Sequence, residues 1–251
     1  MALIVNADDF GISEEVNAAI AEAFEKGLVD RTTLMVNMPD AAGAMEIARK
    51  RGFADKVGLH LNLTSGKPLT REMAADRLMC GQNGEYTAEF AGCLKTRFFL
   101  PKDTRDNIGK ELRAQLDEYG KLGGTLWHID SHHHVHTDPS VWSVLQKVLK
   151  DYPVTSVRLG RNMYRGGNPL MHLYKAMLNA SIRRFCNGRP RYFGSARDYA
   201  AFEPYIANMP PDEQAEIMVH PVYDDNGNVC DKCMDQLLVM KPVRFFDEAG
   251  S

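Results

Sequence analysis

The chain has 251 residues, 44% hydrophobic and 25% charged, with net charge −3 and a pI near 6.2. That length suits one α/β barrel, which takes about 250 residues. There is no overall basic excess of the kind that nucleic acid or an anionic membrane would select, and no apolar run of the roughly 18 residues a membrane span needs.

Met1-Ala2-Leu3-Ile4-Val5-Asn6 lacks a basic leader and runs into Asp8 and Asp9. It reads as a first strand, Leu3 to Ala7, and a cytoplasmic protein is expected. Ser13 caps a helix whose apolar positions Val16, Ala19, Ile20, Ala23 and Phe24 share a face, and Gly27 stops it. Thr32 to Val36 is a second strand, Asp40 opens a helix that ends at Gly52, and Val57 to Leu63 is a third strand. Strands alternating with helices imply crossover units and a parallel sheet. Residues 66–104, rich in Gly and Pro, read as an insertion over one face. Ile108, Leu112, Leu116 and Tyr119 mark a helix; Thr125 to Ser131 is a strand, Val141 to Leu149 a helix, and Val154 to Leu159 a strand. The span 161–213 reads as a second insertion, with a helical patch near 170–185 and a loop around Asn187, Gly188 and Pro190. Glu216 to Val219 is a late strand. The expectation is a single catalytic domain over 1–251.

Polar side chains collect where strands stop. Trp127 to Asp138 holds five of the eight histidines and two aspartates within twelve residues. Imidazole is the commonest metal ligand and the usual acid or base near neutral pH. His128, Asp130 and His132 share one strand face by period-two alternation. Asp8-Asp9 ends the first strand, His60 interrupts the third, and Pro221 holds His220 extended at the end of the last. Taken singly, Asp8-Asp9 has a capping loop before Ser13 as its other reading, and a histidine such as His60 is more often a core residue than a ligand. Together they lie where parallel α/β folds keep their active sites. One carboxylate and two imidazoles make an incomplete metal shell, with a further carboxylate and histidine left for base and acid. Five cysteines at irregular spacings fit reduced thiols; Cys230-x-x-Cys233 has no second pair and is a weak zinc or redox motif.

Four stretches carry a resemblance. They are Val5-Asn6-Ala7-Asp8-Asp9-Phe10-Gly11, Gly58-Leu59-His60-Leu61-Asn62-Leu63-Thr64 with Gly66-Lys67-Pro68-Leu69, His128 through His136, and Met218-Val219-His220-Pro221. In that order they resemble the YdjC-like carbohydrate deacetylases, a family that includes the chitooligosaccharide deacetylases. The resemblance implies a TIM-like, irregular (β/α) barrel related to the polysaccharide deacetylases. It implies a divalent ion held by Asp9, His60 and His132, with Asp8 as general base and His220 as general acid. Arg158 is similar to an arginine near the family's site; a strand-end surface arginine is the other reading. His128, His134, His136 and Asp130 are left to orient ligands or touch substrate. Magnesium is the family's usual ion, yet two imidazoles and a carboxylate suit zinc as well. The implied reaction is hydrolysis of N-acetyl groups on an amino-sugar oligosaccharide. The partners expected are that substrate and, from the family, a second subunit, with no nucleic acid and no membrane. Two rivals stand: another metal-dependent barrel hydrolase, a phosphoesterase or amidohydrolase, and a non-catalytic metal- or sugar-binding protein.

Overall fold

The computed structural model describes residues 2–164, 168–206, 209–210, 212–233 and 236–240. The first half alternates as read: β1 (Ala2–Phe10), α1 (Glu14–Glu25), β2 (Arg31–Leu34), α2 (Ala41–Lys50) and β3 (Val57–Leu61). The Ser13 hydroxyl accepts from Val16 N, the expected cap of α1. Asp40 does not cap α2 with its side chain; it accepts from Asn17 Nδ2 instead, tying α2 to α1.

The 66–104 insertion is built of three short helices, α3 (Arg71–Ala75), α4 (Glu89–Gly92) and α5 (Leu94–Phe98). Then come α6 (Lys102–Lys121), β4 (His128–Ser131), α7 (Pro139–Val148) and β5 (Ser156–Val157). In the 161–213 span the helical patch near 170–185 is α8 (Pro169–Ile182), and the span adds two elements its sequence did not suggest, β6 (Arg189–Ser195) and α9 (Ala196–Ile206). Pro190, read as loop, lies in β6, an edge strand where a residue without an N–H is tolerated. After β7 (Glu213–Val219) a small antiparallel sheet follows, of β8 (Pro221–Tyr223), β9 (Val229–Cys233) and β10 (Gln236–Val239).

Seven strands pair in parallel in the order β5-β4-β3-β2-β1-β7-β6. The two edges are bridged rather than paired. The N–H groups of Asn162 and Met163, just after β5, donate to Phe193 O of β6 at 3.0 and 3.3 Å, and Asn187 N donates to Thr155 O at 2.8 Å. The result is an irregular (β/α) barrel. Alternation along the strands sorts its two faces. Val5, Ala7, Leu59, Leu61, Ile129, Ile217 and Val219 belong to the apolar layer under the helices. The opposite face is polar: Asn6, Asp8, Thr33, His60, His128, Asp130, Arg158 and Glu216 are all buried within the barrel. Gly58 permits this close approach of β3 and β4, since a Cβ there would stand 2.8 Å from His128 O.

Candidate active site

Arg158 organises the barrel interior. Its guanidinium reaches Asp8 at 2.6 Å, Asp130 at 2.7 Å and Glu216 at 2.6 Å, with the ring of Phe193 4.7 Å away. It is fully buried, so the surface reading of this arginine is wrong; the strand end turns inward, not out. The pair with Asp8 is bidentate: Nη1 donates to Oδ2 and Nη2 to Oδ1, while Asn6 Nδ2 also donates to Oδ1. Burial pushes the Asp8 carboxyl up, but Arg158, then His60 and His220, outweigh it and hold it well below the carboxylate range. Glu216 is likewise held down to about 2: burial opposes, and Arg31 and Arg158 prevail. Neither Glu216 nor Asn6 was singled out from sequence. The available signal was a charged or amide residue in step with the polar face of an apolar strand.

Asp8 and Asp9 are adjacent, and simple alternation would send them to opposite faces. The register of β1 against β2 slips by one residue between Ala7 and Phe10, and Asp9 has φ +68°. This bulge turns both carboxylates to the barrel mouth. Oδ1 of Asp9 lies 3.2 Å from His60 Nε2 and 2.9 Å from His132 Nδ1. On its other side, His60 Nδ1 donates to Asp130 Oδ1 at 2.7 Å, and the Thr33 hydroxyl donates to Asp130 Oδ2 at 2.9 Å. Asp130 thereby fixes the ring and leaves Nε2 facing Asp9, the usual support of a ligand histidine. Burial lowers the His60 pKa, but Asp130, Asp9 and Asp8 raise it to about 10.

His132 opens a short 3-10 turn, His132–Thr137, in which His133 and His134 both have positive φ, 52° and 56°. That turn sets His132, His133 and His134 around the mouth. A cavity of about 490 Å³ is lined by Asp8, Asp9, His60, His132, His133, His134, His220 and Lys232. His220 enters from the end of β7, and its backbone N–H donates to Asp231 Oδ1 of β9 at 2.8 Å. The remaining cluster histidines lie elsewhere. His128 is buried deeper in the barrel against Ser156 Oγ at 2.7 Å. His136 is buried outside the cavity, its Nδ1 against Ser131 Oγ at 2.6 Å and its Nε2 donating to Arg158 O at 3.1 Å. It is a packing group, and burial drives its pKa down to about 3. Cys230 is a buried free thiol, and the Cys233 side chain lies outside the described residues.

The donor atoms of Asp9, His60 and His132 lie within 4.8 Å of one another, which one ion can bridge. A second acidic and imidazole group, His128, Asp130 and Glu216, also clusters, but the Arg158 guanidinium already occupies it. The fold and this donor set define a class: a (β/α) barrel whose mouth can hold a divalent ion between a carboxylate and two imidazoles.

Comparisons name the family. The family model described as YdjC-like protein matches residues 2–243. A carbohydrate deacetylase of Geobacillus stearothermophilus is 32% identical over 244 residues, covering 94% of this chain and 88% of the relative. One of Halalkalibacterium halodurans is 34% identical over 230 residues, covering 90% and 86%. One of Vibrio cholerae is 40% identical over 154 residues, covering 61% and 57%. A crystal structure from Enterococcus faecalis, of a protein assigned provisionally to cellobiose-phosphate cleavage, superposes with TM-score 0.68 over 90% of this chain and 82% of that one. At 24% identity it supports the fold alone. The chain belongs to the YdjC-like family.

Proposed function

We propose that this chain is a metal-dependent carbohydrate deacetylase, hydrolysing N-acetyl groups on amino-sugar oligosaccharides of the chitooligosaccharide type. One observation carries the reading: Asp9, His60 and His132 converge at a cavity that Asp8 and His220 also line, in a chain whose near full-length relatives are carbohydrate deacetylases.

Asp9, His60 and His132 would hold the ion. Its mix of one oxygen and two nitrogen donors fits zinc at least as well as magnesium. When bound, it supplies Lewis acidity that polarises the amide carbonyl and makes water a better nucleophile. Asp8 accepts the proton that water loses as its oxygen bonds to the carbonyl carbon. The Arg158 clamp keeps Asp8 ionised and aimed but weakens it as a base, so the acidity that the ion would lend the water has to carry that proton transfer. His220 protonates the sugar nitrogen as the C–N bond breaks, since an amine leaves far better than an amide anion. Acetate and the free amine result.

The phosphoesterase rival needs free cations at the mouth. Arg158 is locked in the barrel and Arg161 forks onto Asp198, which leaves Lys232 to line the cavity, short of the cationic cluster a phosphate would need. The binding-protein rival has no use for a clamped base. The test is acetate and phosphate release from matched substrates, with metal analysis. Acetate release from N-acetylglucosamine oligomers should stop with a chelator. Asp8→Asn should abolish turnover with the ion retained, and His132→Ala should lose both. Wild-type turnover in Asp8→Asn would remove Asp8 from the mechanism.

A further inference from the structure

Seven of the eight large apolar side chains that stand exposed among the described residues lie on two neighbouring helices. Leu94, Phe98 and Phe99 belong to α5 and its exit; the others, from Leu170 to Met177, belong to α8. Their exposure runs from 41% (Met171) to 76% (Leu170), so they are not grazing the surface. α8 buries Leu178 and Ile182 on one side. On the other it repeats Leu170, Leu173 and Met177 at steps of three and four, which makes it apolar on both faces. The Phe98 ring lies 5.9 Å from that of Tyr174, so the two stripes join in one patch. A contiguous apolar patch of this kind marks contact with another body.

The charge around it says which body. Between Asp151 and Asp198 the sequence holds nine of the chain's 30 basic residues and none of its 33 acidic ones. Arg158 is consumed inside the barrel, Arg161 by Asp198 and Arg191 by Glu213, and Arg197 is engaged as well. Lys175 of α8 stands 4.6 Å over the Tyr164 ring rather than against a carboxylate, and Arg184 is exposed just beyond the helix. α5 adds the exposed Lys95, while its Arg97 is paired with Asp138 at 2.8 Å. The chain's mild net negative charge conceals this regional excess; the expectation of no membrane partner rests on that net value and on the lack of a spanning apolar run, and neither speaks to docking on a surface.

A second copy seated on this face by two-fold symmetry would set the same basic patch against itself, and like charges there repel. A bilayer with anionic headgroups meets both features, taking the apolar side chains at the acyl boundary and the cations at the headgroups. We infer that the α5–α8 face docks this protein on a negatively charged lipid surface, in the plane of the interface. No helix among the described residues is long and apolar enough to cross a membrane. Arg97, Met171, Tyr174 and Lys175 also line a hollow of about 250 Å³ that shares His133 and His134 with the main cavity. Docking therefore brings the mouth to the headgroup layer, whatever reaction takes place there.

The experiment is co-sedimentation of the full chain with vesicles of phosphatidylcholine alone and of phosphatidylcholine mixed with phosphatidylglycerol. The protein should pellet with the mixed vesicles, not with the neutral ones, and salt should release it. Leu173→Ser with Met177→Ser should abolish pelleting while the thermal melt stays unchanged. Lys95→Gln and Arg184→Gln should each weaken partition about fivefold, and they decide the matter should the double serine variant fail to fold. No pelleting with mixed vesicles, equal pelleting with both, or wild-type pelleting by the charge variants would each overturn the inference. So would a self-associating wild type that the serine pair turns monomeric without any vesicle binding.

Discussion

Arg158 is one cation facing three carboxylates, and its value lies in geometry more than in charge. Replacing it by Met leaves Asp8, Asp130 and Glu216 uncompensated, at an expected cost of about 3–5 kcal/mol in unfolding free energy. Arg158→Lys keeps the charge but loses the fork on Asp8. It should fold with a smaller loss and still show a large drop in kcat; equal kcat to wild type would deny Asp8 any dependence on its clamp. His60 gives a second expectation at this scale. Without an ion the ring donates Nδ1–H to Asp130 and holds its titrating proton on Nε2 toward Asp9, with its pKa raised to about 10. An ion must displace that proton, so below that pH affinity should rise about tenfold per pH unit, with one proton released per ion. Calorimetry in buffers of different ionisation enthalpy counts that proton. A pH-independent affinity between pH 6 and 8 would contradict the ligand assignment of His60.

The bulge at the end of β1 and the turn after β4 do what regular strands cannot: each aims consecutive side chains at one point. Both use left-handed backbone at non-glycine residues, Asp9 in the first and His133 and His134 in the second, a strain of roughly 1–3 kcal/mol apiece that the surrounding structure carries. Two substitutions separate strain from ligation at Asp9. Asp9→Asn tolerates positive φ, so it should lose the ion and, in chelator, only the charge contacts of Asp9 to His60 and His132, with no added backbone strain. Asp9→Val, β-branched, should lose the ion and also unfold at lower temperature, by about 1–3 kcal/mol. Identical melts for the two would mean the bulge stores no strain. This element scale is where sequence reading weakened. The alternation rule correctly put His128 and Asp130 on one face of β4, but His132 joins Asp9 only through the turn. Within 161–213 the sequence shows α8 but not β6, an edge strand whose Pro190 and Gly194 break the alternating apolar pattern of a half-buried strand.

For the molecule as a whole, the polar barrel interior makes stability depend on pH from both sides. His128 and His136 are buried neutral with lowered pKa. Unfolded, they take up protons below about pH 6.5, so each lowers stability by about 1.4 kcal/mol per pH unit as pH falls from there toward the folded value. Glu216, held down to about 2, adds a further loss as pH falls from about 4.5 toward 2. His60 runs the other way: its raised pKa stabilises fully below about 6.5 and that contribution is lost as pH rises toward 10. The ion-free protein should therefore be most stable near pH 6.5. Urea midpoints in chelator at pH 5, 6.5 and 8.5 test this, and a steady rise through pH 8.5 would show that His60 is not held protonated.

Sequence by itself determined the parallel alternation of the first half, the strand-end position of Asp8-Asp9, His132 and His220, and the family. Each of these follows from local rules: side-chain period, caps, and motifs a few residues long. Only the tertiary structure decided which histidines face the mouth, that Arg158 lies inside and clamps Asp8, that Glu216 completes its partners, and that two helices leave an apolar, basic face outward. Those outcomes depend on residues as far apart as Asp8 and Arg158, brought together when the barrel closes, and no local periodicity carries that information. The five-histidine cluster marks the limit most clearly. Within nine residues it splits into the barrel-interior His128, the ion-facing His132, the cavity walls His133 and His134, and the packing group His136, and two left-handed residues make the division.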